Sequence, residues 1–279
     1  MSRIIILVHK EASFTDALYF MRPISQLWQE QGHTVTVLQG PDKFVDGDIA
    51  ILHVDLTVVP DDYIHFVRRY PKSINAGVKD ISKRCFSTNQ VALGDGYDGA
   101  VIVKTDRNCG GSGESVVTRN HSFVGRCTHA VRRRLHWTLS GEMVSGNYPV
   151  FDSVNDVPRR VWSNSRLIVE KFLPERLGEF YCLRTWVFLA DCESSSMCTA
   201  HRPVVKGADF IERIPVDVPD ELRQMRKDFD FDFGKFDYVM IDGRVVLYDV
   251  NRTPTLGDTP ADMYMPRARV LAEGLKAFL

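Results

Sequence analysis

Hydrophobic residues recur with two different periods along this chain, and the change of period divides it. Ile4 to Val8 is a continuous apolar run of strand length. Phe14 to Gln31 carries Leu18, Met21, Ile24, Leu27 and Trp28 at helical spacing, and Gly32 closes the run. Val35 to Leu38 and Ile49 to Leu52 read as a second and a third strand. Pro60 opens a short helix to Tyr70, and Ile74-Asn75 reads as another strand end. Strands alternating with helices predict a small parallel sheet with crossover helices, a Rossmann-like lobe over residues 1–84.

Beyond Ala100 the pattern changes. Val101 to Lys104 is a strand that feeds a glycine-rich turn. Residues 119–160 are polar and weakly patterned. Leu167 to Glu170 and Leu183 to Leu189 read as strands. Tyr238 to Ile241 and Val245 to Asp249 flank Asp242-Gly243, a strong hairpin signal. This half predicts antiparallel sheet with few helices. The fold class is α+β with an α/β N-terminal lobe.

Composition adds little direction. The 279 residues are 44% hydrophobic and 25% charged, as in an ordinary globular protein. A formal net charge of -1 points to neither nucleic acid nor a membrane surface. Arg132, Arg133 and Arg134, near His129, His136 and Trp137, are the one basic segment. Three successive arginines on a helix point in different directions, so a solvated face, or contact with an acidic or peptide substrate, fits better than nucleic acid. No apolar run is long enough to span a bilayer, and the start reads as a strand rather than a signal peptide, so a cytoplasmic setting is expected. The six cysteines form no Cys-x-x-Cys pair, and free buried thiols are expected, Cys109 as a small filler residue.

Three stretches carry candidate chemistry. In Val101-Ile-Val-Lys104…Gly110-Gly111-Ser112-Gly113, a strand delivers a lysine to a Gly/Ser segment whose amides could cradle phosphate. It is not a Walker A sequence, and taken alone a plain hairpin turn is the better reading. In Asp237…Asp249-Val-Asn251, two carboxylates reach the same open end of a hairpin, with an amide oxygen two residues on. Such oxygens suit Mg²⁺, although the same residues can simply end a strand. In Glu170-Lys171-Phe172-Leu173, followed by Glu175 and Glu179, a strand end offers backbone groups, an apolar ring and acids.

Taken in chain order, these stretches resemble the ATP-grasp superfamily, in the layout of D-alanine–D-alanine ligase, glutathione synthetase and the RimK-type ligases. The resemblance implies an ATP-grasp fold, in which the Rossmann-like lobe (1–84), a lid subdomain (85–173) and a C-terminal α+β subdomain with the metal site (174–279) clasp ATP. It implies that Lys83 and Lys104 contact nucleotide phosphates and that Gly110, Gly111, Ser112 and Gly113 form a mobile lid loop. Glu170, Lys171, Phe172 and Leu173 would line adenine, and Glu179 would hold the ribose. Asp237, Asp249 and Asn251 would bind one or two Mg²⁺ ions, Asp249 standing where the family often has glutamate. Arg184, with Arg202 as a further candidate, would face the γ-phosphate. Arg252 and Thr253 would hold a substrate carboxylate. The implied activity is ATP-dependent carboxylate–amine (or thiol) ligation through an acyl phosphate, on an amino acid or peptide. An ATP-grasp kinase and a binding module without catalysis are the alternatives. The expected partners are small-molecule or peptide carboxylates and amines, without nucleic acid or membrane, and a homodimer stays open.

Overall fold

The computed structural model describes residues 1–15, 18–121, 127, 131, 134–143, 147–257 and 259–279. The tripeptide Arg132–Arg134 and its neighbour His129 therefore lie mostly outside the described residues. Strands β1 (Arg3–Val8), β2 (Thr34–Gln39), β3 (Ile49–Leu52) and β4 (Lys72–Ile74) form a parallel sheet in the order β2-β1-β3-β4. β3 is buried throughout and β1 from Ile4 onward. Burial on both faces explains why these strands read as unbroken apolar runs.

Helix α1 (Met21–Glu30) begins seven residues later than the periodicity predicts. The chain before it is drawn into an extended pairing with the loop that follows the last strand. The Phe20 amide donates to the Pro254 carbonyl at 2.8 Å, and the Leu256 amide to Leu18 at 2.7 Å. Leu18 is left exposed at 53%, so its helical spacing reflects no buried stripe. Helix α2 (Asp61–Val67) packs under β3, and the short helix α3 (Lys83–Phe86) leads out of the lobe.

Next comes a three-stranded antiparallel sheet, β6-β5-β7, built from β5 (Val101–Thr105), β6 (Val150–Phe151) and β7 (Leu167–Lys171). Helices α4 (Ser112–His121), α5 (Trp137–Ser140) and α6 (Arg159–Trp162) lie along the connections. The remaining chain forms an antiparallel sheet in the order β11-β10-β9-β12-β13, with β8 also pairing with β9. Its strands are β8 (Glu175–Leu177), β9 (Phe180–Leu189), β10 (Cys192–Ala200), β11 (Glu212–Pro215), β12 (Phe233–Ile241) and β13 (Arg244–Asn251). Helix α7 (Asp220–Asp228) precedes β12, and α8 (Ala261–Ala272) follows β13. Asp242 and Gly243 both take positive φ, 51° and 77°, as a tight two-residue hairpin requires.

Alternation along β9 sends its side chains into two cores. Trp186 and Phe188 join Phe236, Tyr238 and Leu247 on one face. Val187 and Leu189 join Ile4, Ile24, Trp28, Leu271 and Leu275 on the other. The first lobe thus shares its core with the last sheet and the last helix. The Trp28 indole donates to the Ala272 carbonyl at 2.8 Å across this core.

Asn75 fastens the same junction. It is fully buried and left-handed, with φ of 64°. Its Oδ1 accepts from the amides of Asp232 and Phe233 at 3.0 and 2.9 Å, and its Nδ2 donates to the Phe233 carbonyl at 2.8 Å. Replacing it by alanine leaves those buried backbone groups unpaired. Asn75→Ala is expected to lower the unfolding free energy by about 2–4 kcal/mol, measured by urea denaturation; an unchanged midpoint would refute the fastening role.

Candidate active site

A cavity of about 400 Å³ opens between the three-stranded sheet and the antiparallel sheet. Its size suits a small-molecule ligand. Ile102 and Lys104 of β5 and Phe172 and Pro174 beyond β7 line one side. Leu183, Thr185 and Val187 of β9, Lys235 and Asp237 of β12, and Tyr248 and Asp249 of β13 line the other.

Charge is concentrated where these elements meet. Asp237 and Asp249 are direct partners across the β12–β13 ladder, beside a register shift at Asp237/Tyr238. Each carboxylate meets a lysine: Lys235 Nζ lies 2.9 Å from Asp237 and Lys83 Nζ 3.0 Å from Asp249. A third pair, Lys104 with Glu170 at 2.7 Å, joins β5 to β7 and is almost wholly buried. Burial works against the ammonium of Lys83, yet the Asp249 charge outweighs it and holds Lys83 above the ordinary lysine range. Lys235 is raised in the same way by Asp237. Burial, with the like charge of Asp249, pushes the Asp237 carboxyl up, and Lys235 only partly opposes this.

Some polar capacity is unspent. Asp237 Oδ1 and Glu170 Oε1 are buried and, among the described residues, meet no hydrogen-bond donor. Tyr248 donates its hydroxyl to the Leu173 carbonyl at 2.5 Å and lays its ring 4.7 Å from Lys104 Nζ. It stacks the lysine between aromatic face and carboxylate. Arg213 donates to Ser196 Oγ at 2.6 Å beside Thr185, the cross-strand partner of Asp237.

No family model matches the sequence, and no curated relative matches it. Solved structures do match. An ATP-grasp RimK domain protein from Sphaerobacter thermophilus is 10% identical over 98% of this chain and 99% of that chain, with a TM-score of 0.50. The macrocyclase MdnC from Microcystis aeruginosa, bound with precursor peptide MdnA, is 10% identical over 99% of each chain, with a TM-score of 0.53. The ATP-grasp ligase PsnB, complexed with minimal precursor, is 10% identical over 97% of this chain and 98% of that chain, with a TM-score of 0.54. The fold is ATP-grasp.

Within this ATP-grasp fold, the residues singled out in the sequence part company. Lys83, Lys104, Phe172, Asp237 and Asp249 line one cavity, and Glu170 stands behind Lys104. The glycine segment does not line this cavity. Asn108–Gly111 is a 3-10 turn that runs into α4, pinned to the first lobe. Glu114 accepts from the Thr57 amide at 2.8 Å, the Asn108 amide donates to Thr57 Oγ1 at 3.0 Å, and a Cβ on Gly113 would meet the Asp55 carbonyl at 1.8 Å. Gly110, Gly111, Ser112 and Gly113 do not line the cavity; Gly113 serves close packing, and Gly110 and Gly111 take positive φ.

Other residues singled out in the sequence lie or bond elsewhere in this structure. Arg184 lies on the opposite face of β9 from Thr185 and grips Glu175 with Nε and Nη2. Arg202 and Glu179 are exposed outside the cavity, Glu179 in the β8–β9 turn. Arg252 is fully buried and donates to the Val78 and Leu56 carbonyls at 2.6 and 3.0 Å, so it ties backbone together rather than meeting substrate. Thr253 donates to Asp55 at 2.9 Å. Asn251 Oδ1 accepts from Asn108 Nδ2 at 3.3 Å and from the Thr253 amide at 2.8 Å, which commits the oxygen expected at a metal. Lys171 leans over Tyr97, and Leu173 contributes its carbonyl to Tyr248.

Lys235, Arg213, Tyr148, Tyr248 and Arg267 line the cavity without having been singled out. Lys235 was within reach of the sequence, because residues two apart on a strand share a face and Asp237 was already placed. Arg213 and Arg267 were not, since nothing local ties them to β12.

The cysteines also differ from expectation: all six are free thiols, but Cys85 and Cys127 are exposed, and only Cys182 and Cys198 are buried. Cys109 sits against Asn251, and burial with the charges of Asp249 and Asp55 pushes its thiol up to about 12. A thiol held protonated is a poor nucleophile. Iodoacetamide at pH 8 is expected to modify Cys127 and leave Cys109 largely unmodified, as peptide mass spectrometry would report. Equal modification of the two would contradict this placement.

Proposed function

We propose that the chain is an ATP-dependent carboxylate–amine (or thiol) ligase that acts through an acyl phosphate, with a peptide as the favoured substrate class. The observation that carries this reading is the juxtaposition of Asp237 and Asp249, paired across one hairpin, with Lys83, Lys104 and Lys235 in one cavity of an ATP-grasp fold. The peptide substrate draws support from two structural neighbours. MdnC is bound with a precursor peptide, and PsnB is complexed with a minimal precursor.

The apolar wall of Ile102 and Phe172 suits an adenine ring, and Lys104 then stands at the start of the phosphate chain. The residues also suit Mg²⁺. Two oxygen donors come from neighbouring strands, and Asp237 Oδ1 is buried without a partner. Among the described residues no cluster of three or more His, Cys, Asp or Glu side chains gathers at a metal-binding distance, so phosphate oxygens and water would complete the shell. When bound there, Mg²⁺ supplies charge neutralisation to the transferring phosphoryl group.

The chain's own residues align and neutralise. A substrate carboxylate oxygen attacks the γ-phosphorus, the bond to the β–γ bridging oxygen breaks, and ADP leaves with the electron pair. An amine then attacks the acyl carbon and phosphate departs, the amine losing a proton. Lys104 and Lys83 hold phosphate oxygens, and Arg213 faces the charge that builds on the transferring group. Glu170 positions Lys104 through the buried 2.7 Å pair.

Lys104→Ala and Asp249→Ala are each expected to lower ATP turnover by about 10²–10³ while far-UV circular dichroism stays unchanged. Turnover is measured as ADP release over a panel of acids, amines and acidic peptides. Ligation predicts ADP plus free phosphate, with a hydroxamate when hydroxylamine replaces the amine. Phosphate retained on the product would replace the ligase by a kinase, and full turnover in Asp249→Ala would remove its assigned role.

A further inference from the structure

The cavity extends past the carboxylate pair toward α8, and its charges there are not balanced. Lys83, Lys104 and Lys235 each have a carboxylate partner. Arg213 and Arg267 also line the cavity, and among the described residues no carboxylate pairs with either guanidinium. Both are moored to hydroxyls on one face of β10. Arg213 Nη1 donates to Ser196 Oγ at 2.6 Å, and Arg267 Nε donates to Ser194 Oγ at 3.2 Å. Arg267, on α8, lies over the Phe20 ring at 5.3 Å. Burial, and then the like charge of Arg213, pushes its guanidinium down to about 10. Two cations that line one cavity without a carboxylate partner favour a bound anion.

The two moorings differ in what lies near them. Ser196 is the cross-strand partner of Thr185, which in turn pairs with Asp237, so Arg213 stands beside the proposed phosphoryl-transfer point. Ser194 pairs with Val187, two residues further along the sheet. That spacing is roughly 7 Å, beyond the carboxylate pair and away from the adenine wall of Phe172 and Ile102. Phe20, Val187 and Leu256 flank this end with apolar surface.

The geometry points to Arg267 as the residue that receives a second carboxylate of the acid substrate. The activated carboxylate lies at Arg213 and Asp237, and the other reaches Arg267 across an apolar stem. The substrate class is therefore a dicarboxylate, or a peptide segment with two acidic groups at that separation. The guanidinium fork matches two carboxylate oxygens, and Ser194 fixes its orientation. This assignment rests on the ligase reading for the identity of the activated group, but the binding preference itself does not.

Glutarate and pentanoate, equal in carbon number and differing by one carboxylate, are the probes, titrated calorimetrically into the full chain loaded with Mg-ADP. Wild type is expected to bind glutarate at least tenfold more tightly than pentanoate. Arg267→Gln is expected to bring glutarate to the pentanoate level, with ADP affinity within about twofold of wild type. Arg267→Lys keeps the charge and the stem and covers the case in which the glutamine variant does not fold; it is expected to weaken glutarate binding several-fold. Equal binding of the two acids by wild type, or unchanged glutarate affinity in either variant, overturns the assignment. A glutarate preference that depends on Arg267, found alongside no ADP release over the whole acid–amine panel, supports the assignment and sinks the ligase reading alone.

Discussion

Three lysines and three carboxylates meet around one cavity, Lys83, Lys104 and Glu170 buried and Lys235, Asp237 and Asp249 partly so, and each loss of water has to be compensated locally. An unpaired buried charge is costly, and removing one partner of such a pair typically destabilises by several kcal/mol. The arrangement of strands follows from this requirement. β5 and β7 must lie side by side for Lys104 to reach Glu170, and β12 and β13 must pair in the observed register for Asp237 and Asp249 to share Lys235 and Lys83. The register shift at Asp237/Tyr238 sits at the same place. β-bulges and irregularities tend to occur next to active sites, where they re-aim a side chain.

Neutrality also separates positions that read alike in the sequence. Arg184, Arg213, Arg252 and Arg267 are all cations on or near the cavity-forming elements. Arg184 is turned to Glu175 on the far face, and Arg252 is absorbed by backbone carbonyls. Arg213 is held by the Ser196 and Thr185 hydroxyls and the Phe210 ring, Arg267 by the Ser194 hydroxyl and the Phe20 ring, and among the described residues neither meets a carboxylate. A guanidinium with neutral partners keeps its charge available to a ligand, whereas one with a carboxylate partner has spent it.

Strand periodicity made much of this fold legible in the sequence. Ile4–Val8, Ile49–Leu52, Leu167–Glu170 and the hairpin around Asp242-Gly243 fall where the apolar runs and the turn residues place them, because burial of both faces or a two-residue turn leaves little freedom. The start of α1 was not legible, because residues 254–256 capture the chain at Phe20, and a pairing across more than two hundred residues leaves no local trace. The glycine segment misled for a related reason. Its glycines read as freedom to move, but Gly113 is there because the Asp55 carbonyl leaves no room for a side chain. In the site, Lys104, Asp237 and Asp249 stood out as charged residues on apolar strands. Arg213 and Arg267 did not, since only the assembled sheet and α8 bring them together.

The indole of Trp28 reaching the Ala272 carbonyl has a meaning for how the molecule is made. The apolar stripe of α1 is finished by Leu271 and Leu275 of the last helical segment, some two hundred and forty residues downstream. During translation, at about 5–20 residues per second, that part of the stripe waits for some two hundred and forty further residues before its cover is made. The core of the first lobe is therefore closed by a late segment rather than by its own neighbours in the chain.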